Sequence, residues 1–347
     1  MPRPEPRWSR LAPSPTGALH LGNARTFLIN AWSAAAEGWP MVLRVDDLDG
    51  PRVKPGAAEA AVADLAWLGI PWTLGPVYES HVRGGYLQAR EALIEAGLIY
   101  PCKATRRDLE AASAPNEGDM HDLRYPGLYH PDRLHASGGN APDPSAEVCG
   151  WRLRLDRLLS PQERRSGVEV PDRYAGRRSI DVDAEVGDFI VWTKQDVPAY
   201  QLAVLVDDLA NLTDDAGLKW PTVGHVVRGN DLLSSTARQI LVHRALRASG
   251  FPIADLPRWW HVPLVRGPDG RRLAKRHGDT RLATLRALGV SPERVVGLLA
   301  WWCGLLDEDA PRPVSFEAAA RLWNWSRLPR EDVVFRGRDR RWLEQER

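Results

Sequence analysis

Cysteine is scarce in this chain: Cys102, Cys149 and Cys303 are the three present, and none lies close to another. Neither a disulfide framework nor a Cys-x-x-Cys metal knuckle is expected, which fits a reducing cytoplasm. No apolar run reaches the roughly 20 residues that span a bilayer. The segment Met1 to Arg10 is polar and rich in proline, unlike an apolar export signal. A membrane location is therefore not expected. Net charge is nearly absent as well, with 46 basic residues against 45 acidic ones and a sum of +1. Any contact with nucleic acid would need a local basic face rather than a global field. Internal repeats and a Gly-x-Gly-x-x-Gly fingerprint are also missing.

What is present is enough for a packed core. Of 347 residues, 44% are hydrophobic and 26% charged, which argues against disorder and for two or three compact units. The 15 tryptophans read mostly as packing anchors, with Trp259-Trp260 and Trp301-Trp302 beside apolar segments. Basic residues cluster at Arg106-Arg107, Arg164-Arg165, Arg177-Arg178, Arg271-Arg272 with Lys275-Arg276, and Arg336 to Arg341. A single pair of this kind is ordinary solvated surface. The cluster at 271–276 differs because it sits between a strand signal and a helix signal.

Periodicity predicts a strand and then a loop over Leu11 to Gly17, and a helix from about Leu19 to Ala36. Met41 to Val45 reads as a buried strand ending in Asp46-Asp47-Leu48-Asp49. Helices follow over Pro55 to Leu68, stopped by Gly69, and Gly85 to Ala96, stopped by Gly97. Alternation of this kind predicts a parallel sheet with crossover helices, an α/β fold. From 101 to 186 the pattern turns irregular, and only Trp151 to Asp156 alternates like a half-exposed strand. That stretch reads as an inserted α+β subdomain between a first half (1–100) and a second half (187–266) of one Rossmann-like catalytic domain. Phe189 to Thr193 reads as a strand, Tyr200 to Leu209 as a helix, Val226 to Arg228 as a strand end, and Val262 to Val265 as a strand. Ser234 reads as the cap of a helix running to Arg247, and Ser291 as a cap with Pro292 in the first turn. Residues 267–347 read as a basic loop followed by a helical tail.

Two segments carry chemistry. In Arg10 to Asn23 a strand runs through a Pro/Ser/Thr/Gly loop into a helix start, a natural anion site because free N–H groups and the positive dipole end face the loop. Gly17 and Gly22 have the glycine spacing of a P-loop, but Asn23 and Ala24 stand where its Lys and Ser/Thr belong, so that reading fails. An ordinary strand–turn–helix with a packed His20 is the bland alternative. The second segment, Arg271 to Asp279, is a basic loop in which Lys275 offers a point charge suited to a phosphate whose charge grows during reaction. Alone, it would read as solvated surface.

Together they are far more specific. His20-Leu21-Gly22-Asn23 resembles the "HIGH" motif of class I aminoacyl-tRNA synthetases, and Arg272-Leu273-Ala274-Lys275-Arg276 resembles their "KMSKS" loop. Arg10 to Gly17, Arg44 to Asp49 and Lys275 to Asp279 are similar to the glutamyl branch. So are Val186 to Phe189, Pro198 to Val204 and Val226 to Asp231, and the resemblance covers nearly the whole chain. Only about 70 residues follow Lys275 (72 by the numbering), where a full glutamyl-tRNA synthetase carries an anticodon-binding domain. That resembles the truncated member of the branch, which places glutamate on queuosine at the wobble position of tRNA(Asp) rather than on a 3′ end.

The resemblance implies ATP, with Mg2+ accompanying it, L-glutamate and queuosine-modified tRNA(Asp) as the partners of a monomeric cytoplasmic ligase. His20 and Lys275 would be catalytic. His20, Gly22, Asn23, Arg272 and Lys275 would bind ATP. Arg10, Leu11, Ala12, Pro13, Ser14, Asp46, Tyr200 and Arg228 would bind glutamate. A guanidinium at Arg10 or Arg228 is the strong solution for a side-chain carboxylate, and an acidic group at 46 can accept from an α-ammonium. Three departures stand out. Asp46 replaces the family's usual Glu and is one methylene shorter. Leu212 to Thr222 are extra residues, expected on a surface loop ahead of Arg228. The family's zinc positions read Cys102, Ala104, Tyr125 and Tyr129, too few ligands for a four-coordinate site, so no metal is expected. A shortened glutamyl-tRNA synthetase and a non-catalytic nucleotide- or RNA-binding module are the alternatives.

Overall fold

A computed structural model describes residues 7–105, 108, 124–271, 273 and 279–344. The first half is β1 (Trp8–Leu11), α1 (Leu21–Glu37), β2 (Met41–Val45), α2 (Ala57–Trp67), β3 (Leu74–Tyr78) and α3 (Arg83–Glu95). Next come β4 (Ile99–Cys102), β5 (Gly150–Leu153), β6 (Val168–Pro171), β7 (Arg177–Ile180) and β8 (Ile190–Trp192). The second half holds α4 (Tyr200–Leu209), β9 (Val223–Gly229), α5 (Leu233–Ala248) and β10 (Arg258–Val262). A tail of β11 (Val265–Arg266), α6 (Leu282–Ala287), α7 (Pro292–Trp302), α8 (Phe316–Leu322), β12 (Val333–Val334) and α9 (Gly337–Glu344) completes it.

Five strands form a parallel sheet in the order β10-β9-β1-β2-β3. Its side chains alternate between two buried faces. Leu11, Met41, Leu43, Val227 and Val262 pack with α1, α7 and α8 on one face. Val42, Val77, Val223, Val226 and Trp259 pack with α3, α4 and α5 on the other. Two covered faces are what an all-parallel sheet requires. The chain runs outward from β1 to β2 and β3 on one side, then returns to place β9 and β10 on the other. A crevice opens beyond the carboxyl ends of strands at such a reversal.

Several expected elements shift. The strand expected at the start of Leu11 to Gly17 lies earlier, at Trp8–Leu11, where Ser9, Arg10 and Leu11 pair with Met41, Val42 and Leu43, and the rest of that stretch is loop. β3 was hidden by Gly75-Pro76; the Leu43 backbone lies where a Cβ at Gly75 would sit, so only glycine fits there. The strand expected over Val262 to Val265 is β10, four residues earlier, and Pro263 with no N–H breaks it from β11. Ser234 lies inside α5, whose N-cap is Leu232 without a side-chain hydrogen bond. Ser291 does cap α7, accepting from the Arg294 N–H.

The insertion builds its own antiparallel sheet, β4-β5-β8, and a β6–β7 hairpin. Its sheet takes strands from both sides of 101–186, since Ile99–Cys102 and Ile190–Trp192 belong to it. The segment Leu212 to Thr222 forms a small exposed turn around a Thr213–Lys219 bridge, pinned by the buried side chains of Leu212 and Trp220. β9 follows in register with β10, so the extra loop leaves Arg228 opposite His261. No helix among the described residues is long and apolar enough to cross a membrane.

Candidate active site

The crevice at the carboxyl ends of β1, β2 and β9 holds a cleft of roughly 300 Å³. Arg10, Ala12, Ser14, His20, Gly22, Asn23, Asp46, Tyr200 and Arg228 all line it. Residues from four separate stretches of sequence thus meet in one place. Leu11 and Pro13 do not line it. Leu11 is fully buried in the α1-side core, and Pro13 is buried with its carbonyl accepting from the Asp46 N–H at 3.1 Å. Their side chains shape the loop from behind.

The helix start is built on His20. It is the N-cap of α1, with extended backbone, and its Nδ1 accepts from the Gly22 N–H at 3.0 Å. The Asn23 carboxamide oxygen accepts in turn from the His20 N–H at 3.3 Å, a reciprocal capping pair. An accepting Nδ1 places the proton of the neutral ring on Nε2. Gly22 makes this possible, since a Cβ there would stand 2.9 Å from His20 Cε1. The dipole of the 17-residue α1 adds positive potential at the same end.

The basic loop is anchored beside this cap. The Leu273 N–H donates to Val265 O at 3.3 Å, and the Leu21 N–H donates to Thr280 O at 3.1 Å. Both flanks of residues 274–278 therefore abut the start of α1. Arg272 and Lys275 themselves lie outside the described residues.

Below the cleft is a charge cluster that the sequence did not announce. Arg44 is 2% exposed. Its Nε lies 2.8 Å from Asp46, and its Nη1 lies 2.7 Å from Asp208. Asp207 and Glu79 stand 3.8 and 3.9 Å from its Nε. Arg10 Nε reaches Asp208 at 3.5 Å. Burial raises Glu79 well above the usual carboxylate range, reinforced by Asp46 and Asp207. Burial likewise lifts Asp207 to about 6 against the pull of Arg44. Arg44 is held charged far beyond its ordinary range: burial opposes this, but the surrounding acids outweigh it. Glu79 and Asp207 crowd the same Arg44 guanidinium, and each disfavours the charged form of the other. Four carboxyl groups, those of Asp46, Glu79, Asp207 and Asp208, thus face Arg10 and Arg44 beside the cleft.

Arg228 is the opposite case. It is 4% exposed, and its hydrogen bonds run to neutral groups. Nε donates to His261 Nε2 at 3.1 Å, and Nη2 donates to Thr236 Oγ1 and Gln239 Oε1 at 2.5 and 2.8 Å. Among the described residues, Nη1 is buried without a hydrogen-bond partner. Burial lowers its pKa, a desolvation penalty that an incoming anion relieves. One end of the cleft can therefore take a carboxylate, the Asp46 carboxyl group an ammonium, and the α1 cap a phosphate. Tyr200, at the first position of α4, is 42% exposed and lines the same space.

Arg44, Asp207, Asp208, His261 and Thr236 were missed in the sequence. For Arg44, Asp207 and Asp208 the sequence holds a signal that could have found them. Arg44 and Asp46 share a strand face at spacing two, and Asp207-Asp208 end an otherwise apolar helix.

The positions that hold the family's zinc ligands do not suit a metal in this chain. Cys102 and Tyr125 lie 3.5 Å apart (Sγ to hydroxyl), Ala104 offers no ligand, and Arg152 Nε sits 3.3 Å from the sulfur. The Arg152 guanidinium also lies over the Tyr125 ring at 3.8 Å, so a cation already fills the space.

Comparison with known proteins gives the family of the chain. Residues 8–303 match the family of tRNA synthetases class I (E and Q), catalytic domain. A Rhodopirellula baltica protein named glutamyl-Q tRNA(Asp) synthetase is 42% identical over 312 residues, 87% of this chain and 86% of that protein. A Symbiobacterium thermophilum protein of the same name is 42% identical over 336 residues, 93% of this chain and 94% of that protein. Among solved structures, glutamate-tRNA synthetase from Elizabethkingia anophelis superposes with a TM-score of 0.74 at 22% identity. The match covers 98% of this chain and 70% of that one, and at this identity it speaks to the fold alone.

Proposed function

This chain belongs to the class I tRNA synthetases (E and Q), within them to the glutamyl-Q tRNA(Asp) synthetases, and we propose that its cleft activates L-glutamate with ATP and delivers it to queuosine at the wobble position of tRNA(Asp). The observation that carries this reading is Arg228, a buried guanidinium with neutral partners and an unpaired Nη1, facing the same cleft as Asp46 and the His20 cap. Glutamate has the matching groups: a side-chain carboxylate for Arg228, an α-ammonium for the Asp46 carboxyl group, and an α-carboxylate left to react.

In the first step that α-carboxylate attacks the α-phosphorus of ATP, forming the mixed anhydride and releasing pyrophosphate. No side chain acts as nucleophile; the protein aligns the reactants and stabilises growing phosphate charge. His20, through its Nε2 proton, and Lys275 serve the phosphates. Gly22 and Asn23 hold the cap, and Arg272 adds positive charge. Mg2+ arrives on the ATP phosphates. Arg10 is held by Asp208 at the mouth of the amino-acid end, and Tyr200 offers its hydroxyl there. In the second step a nucleophile of the RNA attacks the anhydride carbonyl and AMP departs. The reading is of a monomer working in the cytoplasm, where ATP and tRNA are available.

The test is pyrophosphate exchange into ATP with each of the twenty amino acids, with and without tRNA. Exchange with glutamate alone, independent of tRNA, is expected. Exchange at background with every amino acid would leave a non-catalytic module. Glutamate label on tRNA(Asp) should be base-labile and require queuosine; label on the 3′ end would instead mark a shortened glutamyl-tRNA synthetase.

A further inference from the structure

Behind Arg228 lies a polar chain with no water access. His261 and Asp172 both have fully buried side chains, and their Nδ1 and Oδ2 are 2.7 Å apart. The His261 backbone N–H donates to the same oxygen at 3.0 Å. The other Asp172 oxygen accepts from the N–H groups of Tyr174 and Ala175, at 2.8 and 2.5 Å. A carboxylate that only accepts requires the His261 proton on Nδ1. Nε2 is then a lone pair, and it faces Arg228 Nε at 3.1 Å and Thr236 Oγ1 at 2.9 Å. The opposite tautomer would set two N–H groups against each other.

Asp172 belongs to the turn after β6, in the insertion, and the adjacent Arg173 N–H bonds to Trp259 O of β10 at 2.8 Å. The insertion therefore reaches across the sheet to the back of the cleft. We infer that Asp172 and His261 are positioning residues for Arg228: the insertion's carboxylate fixes the imidazole tautomer, and the imidazole fixes the plane of the guanidinium that selects the substrate's side-chain carboxylate. The inference rests on the glutamate reading above and adds to it. Specificity at the amino-acid end depends on a residue 56 positions away from Arg228 in sequence, in the turn after β6.

A merely structural pin and a positioning pair differ in kinetics. In glutamate-dependent exchange with the full chain, the KM for glutamate, the KM for ATP and kcat are measured for the wild type, Asp172→Asn, His261→Leu and His261→Gln. Gln can present its oxygen to Arg228 and its amide hydrogens to Asp172, so it keeps both bonds; Leu keeps neither. His261→Leu should raise the glutamate KM about 10- to 100-fold while the ATP KM stays within about twofold, because a buried donor of Arg228 loses its acceptor. Asp172→Asn should do the same in smaller measure, since its amide permits the wrong tautomer. His261→Gln should restore most of the loss. Equal shifts in both KM values, unchanged glutamate KM in His261→Leu, or no rescue by Gln would overturn the inference. If His261→Leu does not fold, Asp172→Asn against His261→Gln carries the same comparison. A wild type without glutamate-dependent exchange defeats the functional reading itself, before any variant is made.

Discussion

Arg44 and Asp208, 164 residues apart in sequence, meet at 2.7 Å and join the end of β2 to the last turn of α4. The same guanidinium holds Asp46 at 2.8 Å. The shorter acid at 46 is thus no loose substitute for a longer one. It is fixed by a neighbour two residues back on the same strand face, and its position over the cleft follows from that of Arg44.

Asp46→Asn tests the ammonium end. The variant keeps the shape and an acceptor oxygen but removes the negative charge. Glutamate KM is expected to rise about 10- to 100-fold, the worth of a charged hydrogen bond, with ATP KM little changed. An unchanged glutamate KM would show that the ammonium sits elsewhere.

The raised Asp207 and Glu79 carboxyls predict a pH effect on stability. Burial puts Asp207 at about 6 and Glu79 well above its usual range, whereas both titrate near 4 when unfolded. Between these values the folded chain binds more protons than the unfolded one. The pair's stabilisation is therefore fully present below about pH 4 and is lost as pH rises through about 6. Urea unfolding of wild type and Asp207→Asn compares them directly. Wild-type stability relative to the variant should fall from pH 5 to 7, by at most about 1.4 kcal/mol per pH unit. Parallel curves would mean that no proton is held there.

Gly22→Ala tests the cap. The new Cβ would press on His20 Cε1 and Nδ1 at 2.9 and 3.0 Å. The ring must swing out, while alanine favours the helix itself by about 0.5–1 kcal/mol. Exchange should drop by about 10-fold or more with thermal stability nearly intact, because a misplacement of about 1 Å is enough to slow a positioned reaction. Full activity would remove the His20 ring from the phosphate site.

Lys275→Ala should lose roughly 100- to 1,000-fold in adenylate formation, about 3–4 kcal/mol, with folding preserved. Glutamate-dependent exchange at the wild-type rate would take Lys275 out of the reaction.

Much of this was legible in the sequence, and the gaps have physical reasons. β2 was read to the residue because five apolar-flanked positions end in a charged run. β3 was not, because Gly75-Pro76 reads as a turn until the close approach of Leu43 is seen. Arg10, Asp46, Tyr200 and Arg228 could be named because each stands at a recognisable segment, and the strand reversal brings them together. Asp208, His261 and Asp172 could not. Their partners lie on other elements, and only tertiary packing turns a histidine among tryptophans into an acceptor for Arg228.

A crystal structure with a non-hydrolysable glutamyl-adenylate analogue tests the central claim most directly. The side-chain carboxylate should lie within about 3 Å of Arg228 Nη1, with the α-ammonium beside Asp46 and His20 Nε2 and Lys275 Nζ converging on the phosphate-replacing group. An analogue whose carboxylate turns away from Arg228, or whose phosphate mimic is touched by neither His20 nor Lys275, would contradict it.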